Sequence, residues 1–201
     1  MLAVKNKGAH ILFVINWGPS GLVLAKQWEE LKIPTVLAGA IGEITYSTFW
    51  ESSRGLGNYS ISMNTISRVK INEKTIPFWD KYVKKTGAWP DVFSANFYAA
   101  AYRLKEAIEK AGTLDADRLV PVLEKLEYVG PAGKYVVKGM DTDSPHDIAI
   151  NRDYTGTSCQ WQDGHFKTIW PPADGSFYGL VYEGVVEAKL PPWMVKYWER
   201  K

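Results

Sequence analysis

The apolar positions open with an unbroken run over residues 9–16, Ala-His-Ile-Leu-Phe-Val-Ile-Asn, which reads as a strand covered on both faces, as in a parallel sheet. Pro19 then opens a helix in which Leu24, Trp28 and Leu31 recur at helical spacing. Pro34 ends that helix before a second strand over Thr35-Val36-Leu37-Ala38. A strand, a helix and a strand in this order predict two parallel strands with a right-handed crossover. A short helix is expected from Thr45 to Ser53, stopped by Gly55 and Gly57, and Tyr59-Ser60-Ile61-Ser62-Met63 alternates like a further strand.

Around residues 64–72 the pattern dissolves into Asn, Thr, Ser and Lys, which marks a lobe boundary. Pro77 begins an amphipathic helix carrying Phe78, Tyr82 and Val83 as far as Gly87. A longer helix is predicted over 91–111, with Asp91 as N-cap and Gly112 as its stop. Phe93, Phe97, Ala101, Leu104 and Ile108 line one face, and Glu106 and Lys110 form a favourable i,i+4 pair. Asp115 caps a third helix through Leu126, where Pro121 implies a kink or a later start. After Gly130 short strands are expected near 134–138, 146–151, 156–162 and 166–170, with Gln162-Asp163-Gly164-His165 as a hairpin turn. The tail beyond Pro171, with two proline pairs and Trp193 and Trp198, reads as an irregular arm on the surface.

Composition narrows the chemistry. Hydrophobic residues make up 46% of the 201 positions, the ordinary range for a folded chain. The 24 basic and 22 acidic residues are interspersed, giving a net charge of +2 and no block suited to nucleic acid or an anionic membrane. Cys159 is the only cysteine, which excludes an internal disulfide and a thiolate metal cage. His10, His146 and His165 lack metal-ligand spacing, and there is no glycine-rich phosphate loop, so neither metal nor cofactor is expected. Lys5, Lys7 and the apolar run at Ile11–Ile15 are too short and wrongly flanked for a secretory signal. No stretch approaches the roughly eighteen consecutive apolar residues of a membrane span. As written, the chain is expected to stay in the cytoplasm.

Several segments in order carry a resemblance: Trp17-Gly18-Pro19-Ser20-Gly21 after the first strand, Lys32-Ile33-Pro34-Thr35-Val36-Leu37-Ala38-Gly39, Phe78-Trp79-Asp80-Lys81-Tyr82, the helix from Tyr98 to Gly112, and Cys159-Gln160-Trp161-Gln162-Asp163-Gly164. Over residues 3–170 this set resembles the branched-chain amino-acid binding family of ABC-importer receptors. The resemblance implies an α/β type I periplasmic-binding fold, with parallel-sheet lobes, here lacking the half that would supply most of the first lobe. Residues 1–62 then correspond to part of the second lobe, 63–140 to a return through the first, 141–170 to a final return to the second, and 171–201 to the tail. It further implies capture of a small solute between lobes, a branched-chain amino acid, an amide or an aromatic acid, without catalysis, for delivery to an ABC permease at the membrane. Full-length relatives are periplasmic or extracellular lipoproteins. A sensing domain of the same fold, or a truncated and non-functional fragment, remains an alternative, and the unmatched helices imply a missing N-terminal lobe.

Carried onto this sequence, Trp17, Gly18 and Ser20 occupy the loop where strand ends present ligands. Trp17 offers a flat apolar face and one indole donor, although packing under its helix is the competing role. Ile41 stands where amino-acid-binding relatives place a carboxylate for the ammonium group. Glu43, two residues on, is the available substitute or simply a solvated first-turn acid. Tyr98 aligns with a recurrent tyrosine whose commoner role is packing. The nearest enzyme pattern is Gly18-Pro19-Ser20-Gly21, but a nucleophile elbow needs glycine at position 22, where leucine stands, and nothing in the sequence places His146 or His165 beside Ser20.

Overall fold

In the computed structural model, which describes residues 1–200, the short helix α1 (Leu2–Lys7) leads into β1 (Ile11–Asn16), α2 (Ser20–Glu30) and β2 (Val36–Ile41). β1 and β2 pair in parallel from Ile11↔Val36 to Asn16↔Ile41, as the strand-helix-strand pattern predicts. Gly39 is required in this pair: its φ is +148°, and a Cβ there would meet the Val14 backbone carbonyl. A 3-10 turn (Gly42–Thr45) and α3 (Phe49–Ser52) replace the single short helix expected there. β3 (Ile61–Asn64) then pairs antiparallel with β6 (Thr157–Gln162), which pairs antiparallel with β7 (His165–Trp170). Asp163 and Gly164 both have positive φ, so the predicted β6–β7 hairpin closes through a two-residue turn.

The two sheets are joined by a side chain. Ser62 on β3 is fully buried, and its Oγ accepts the Ile41 N–H at 3.0 Å and lies 3.1 Å from the Ile41 carbonyl oxygen. Behind them sits the first core: Ala25 and Trp28 of α2, Ile33, Leu37, Ile41, Ile44, Phe49 and Trp161. The Trp28 indole donates to the Thr35 carbonyl at 3.1 Å and the Trp161 indole to that of Ile44 at 2.7 Å, so both large rings are buried with their one donor satisfied.

β1 departs from the sequence reading. Only one of its faces is covered, because Ile11, Phe13 and Ile15 alternate outward and are exposed. The tail departs too. It ends in α7 (Pro192–Trp198), whose Trp193 packs edge-on against Trp28 and donates to the Ile33 carbonyl at 2.9 Å. The proline that suggested irregularity stands in the first turn of this helix, where its missing N–H costs nothing.

A second core forms around α4 (Thr75–Thr86), α5 (Ser94–Ala111) and the short hairpin of β4 (Tyr128–Gly130) and β5 (Gly133–Tyr135), with α6 (Ala116–Lys125) packed on α5 outside it. Asp91 starts α5 from two positions further out than expected, accepting from the N–H groups of Phe93 and Ser94. The buried face of α5 is its small one, Ala95, Ala99 and Ala107; Phe93, Phe97, Ala101 and Leu104 are exposed. The close approach has a local cause, since a Cβ on Gly130 would lie 3.0 Å from that of Ala99. Tyr135 and Tyr154 donate to one acceptor, the Asn96 side-chain Oδ1, at 2.7 and 2.9 Å. The strand expected at 146–151 is reduced to single bridges at Ile148 and Asn151.

Two measurements check this packing. Ser62→Ala leaves the buried Ile41 N–H without its acceptor, and is expected to cost about 1–3 kcal/mol in urea unfolding. The Cys159 thiol is pushed from 9.0 up to about 11 by complete burial. The unfolded thiol ionises first, so its contribution to stability is intact below pH 9 and is lost as pH rises towards 11, by roughly 2–3 kcal/mol. Denaturant titrations at pH 8 and 10 are expected to show about half of this loss, and Cys159→Ser is expected to flatten it.

Candidate functional site

Because β1 and β2 are parallel and in register, the loops after Asn16 and Ile41 leave the same edge of the sheet. Trp17 projects from the first of these loops and is 53% exposed. Gly18 takes φ +147° behind it, a conformation that side-chain-bearing residues rarely adopt, and lets the chain reverse into α2. Gly42 sits under the indole: a Cβ there would lie 2.7 Å from Trp17 Cε3. On its other side the Trp17 ring meets Phe93 at 5.4 Å.

A cavity of about 510 Å³ opens beside Trp17. Its apolar wall is Trp17, Met63, Ile150 and Trp170, and its polar groups include Asn64, Thr65, Thr155 and Ser158. Asn64 is buried at the end of β3, and its side-chain Oδ1 accepts the Thr65 N–H at 2.8 Å. Thr65 donates to the Val92 carbonyl at 2.6 Å, tying this wall to the segment before α5. The Thr155 hydroxyl is shielded from solvent and has no protein partner. Among the described residues no charged side chain lines this space. The cavity therefore suits an aromatic or aliphatic body, oriented by a few hydrogen bonds.

The sequence-predicted residues are not all brought together. Trp17 lines the cavity and Gly18 shapes its loop. Ser20 is the first residue of α2, not its cap, and accepts from Asn16 Nδ2 at 2.9 Å. Ile41 is fully buried in the first core and turns away from the cavity. Glu43 is half-buried in the 3-10 turn, close enough that its charge, after burial and together with Asp91, raises the Tyr46 phenol. Tyr98 lies elsewhere, between Phe78 and Tyr102 in a groove that shares no residue with this cavity. The hydrolase pattern gains no geometry: Ser20 hydrogen-bonds Asn16, and His146 Nε2 pairs with Glu124 at 2.7 Å. Asn64, Thr65, Thr155 and Trp170 escaped the sequence reading because they come from strand ends distant in the chain, and only the polar break after residue 64 hinted at them.

Among the described residues no helix is long and apolar enough to cross a membrane, and no cluster of His, Cys, Asp or Glu could hold a metal ion. Residues 1–152 match the family model described as periplasmic binding protein. No curated protein sequence matches the chain. Solved structures do. A solute-binding protein of an R. palustris ABC transporter, in complex with benzoate, is 15% identical with a TM-score of 0.67, over 83% of this chain and 44% of that one. A leucine-, isoleucine-, valine-, threonine- and alanine-binding protein from Brucella ovis in its closed conformation is 16% identical with a TM-score of 0.69, over 94% and 50%. A branched-chain amino acid transporter substrate-binding protein from Streptococcus pneumoniae, in complex with isoleucine, is 16% identical with a TM-score of 0.63, over 82% and 46%. At these identities the likeness establishes the fold. The chain spans about half the length of each of these structures.

Proposed function

Because the chain belongs to the periplasmic binding protein family, we propose that it captures a small solute at the Trp17 cavity and releases it unaltered to an ABC importer. The observation that carries this reading is the position of the cavity: it opens where a parallel strand ends in an exposed indole, with polar groups around an uncharged apolar wall. The solute is a branched-chain amino acid or an aromatic carboxylate. Its apolar body lies against Trp17, Met63 and Trp170, while Asn64, Thr65 and Thr155 orient its polar end. Glu43, like Ile41 and Tyr98, does not line this cavity, so the ammonium group of an amino acid would take its counter-charge from the opposite wall of the cleft.

In this reading residues 1–62 and 141–170 build one lobe and 63–140 return through the other, with the polar stretch after Asn64 as a crossover. The opposite wall of the cleft comes from further polypeptide, which also covers the exposed row Ile11, Phe13 and Ile15 on β1 and the exposed Phe97 and Leu104 on α5. Solute contacts to both walls would then select the closed arrangement.

Calorimetric titration with isoleucine and benzoate tests the binding. With one wall present, affinity on the order of 1 mM is expected for at least one of them. Trp17→Ala, at an exposed position, is expected to weaken it about tenfold while leaving the ligand-free melting temperature unchanged. Absence of binding by both solutes, or equal binding by the variant, would contradict the assignment.

A further inference from the structure

The groove that holds Tyr98 has its own chemistry. It encloses about 850 Å³ between α4, α5 and the β4 hairpin. Its floor is a ladder of rings: Phe78 to Tyr98 at 4.9 Å, Tyr98 to Tyr102 at 4.8 Å, and Phe78 to Tyr82 at 5.9 Å, with Tyr128 on the far side. Such a floor gives a flat guest several ring faces and edges to meet.

The rim is basic. Lys74, Lys81 and Lys85 line the groove against the single acid Glu73. Glu73 is already paired with Lys70 at 2.8 Å, and Lys74 is engaged with the Val129 carbonyl at 2.6 Å. Lys81 and Lys85 are one helical turn apart on α4, both exposed, and among the described residues neither has an ion pair or a hydrogen bond. Two ammonium groups beside mutually tilted phenol rings complement a guest with a flat apolar body and one anionic end. The Trp17 cavity, lined by no charge, offers nothing of this kind.

We propose that this groove is a second binding site, separate from the Trp17 cavity, for a small aromatic carboxylate, with its ring on Tyr98 and Tyr102 and its carboxylate between Lys81 and Lys85. Occupancy of the two sites is then additive, since they share no residue.

The test uses the full chain and 4-fluorobenzoate, followed by 19F NMR line broadening in the wild type, Trp17→Ala, and the double variant Lys81→Ala/Lys85→Ala. Neither lysine makes a contact that holds the fold, and an unchanged circular dichroism melt verifies this. Binding on the order of 0.1–1 mM that survives Trp17→Ala, and falls about tenfold when the two lysine changes are added to Trp17→Ala, is expected. Uncharged 4-fluorobenzamide is expected to bind Trp17→Ala as weakly as the acid binds that triple variant. Binding abolished by Trp17→Ala and untouched by the lysine changes would overturn the second site while supporting the first. No broadening in Trp17→Ala, or equal binding of the amide and the acid by Trp17→Ala, would overturn it outright.

Discussion

The position of β2 governs everything that the chain can present, and β2 is held on its two sides by different means. Towards β1 it has a full parallel ladder. Towards β3 it has Ser62, whose hydroxyl substitutes for a backbone partner at the Ile41 N–H and carbonyl. A buried amide without an acceptor is costly, so this contact fixes the level at which the antiparallel strands meet the parallel pair. That level brings Asn64, at the end of β3, beside Trp17, beyond the end of β1.

The tryptophans then set the loops against this frame. The indoles of Trp28, Trp89, Trp161, Trp193 and Trp198 donate to the carbonyls of Thr35, Thr45, Ile44, Ile33 and Pro34 respectively. Each fills space with its ring and ties a turn next to β2 with its one donor. The turns at 31–35 and 42–45 are thereby held from both sides, and Glu43 and Gly42 are positioned by packing although they lie outside any strand. Trp17 differs from these five in keeping an exposed face beside the cavity.

Local periodicity was sufficient for the parallel pair, for α2, and for the β6–β7 hairpin, where Asp163-Gly164 demanded positive φ. It failed where two stripes compete on one helix. On α5 the large apolar residues and the alanines are both periodic, and burial goes to the alanines because Gly130 and Tyr135 approach too closely for larger side chains. The end of the chain misled for a related reason: proline pairs mark irregular backbone, but Pro192 also suits the first turn of a helix, and its role depends on the pocket waiting for Trp193. Of the site, Trp17 and Gly18 were legible because they follow a strand directly. Ile41 and Tyr98 were carried over by likeness, and their burial and surroundings are set by packing that a linear reading does not contain.

The central claim is that solute binds at Trp17 and Trp170, away from the buried tryptophans. Labelling the nine tryptophans with 5-fluorotryptophan, assigning the resonances by single substitution, and adding isoleucine or benzoate reads every ring at once. The account predicts shifts at Trp17 and Trp170 with Trp28 and Trp161 unmoved. Shifts confined to other tryptophans, or none at saturating solute, would contradict it.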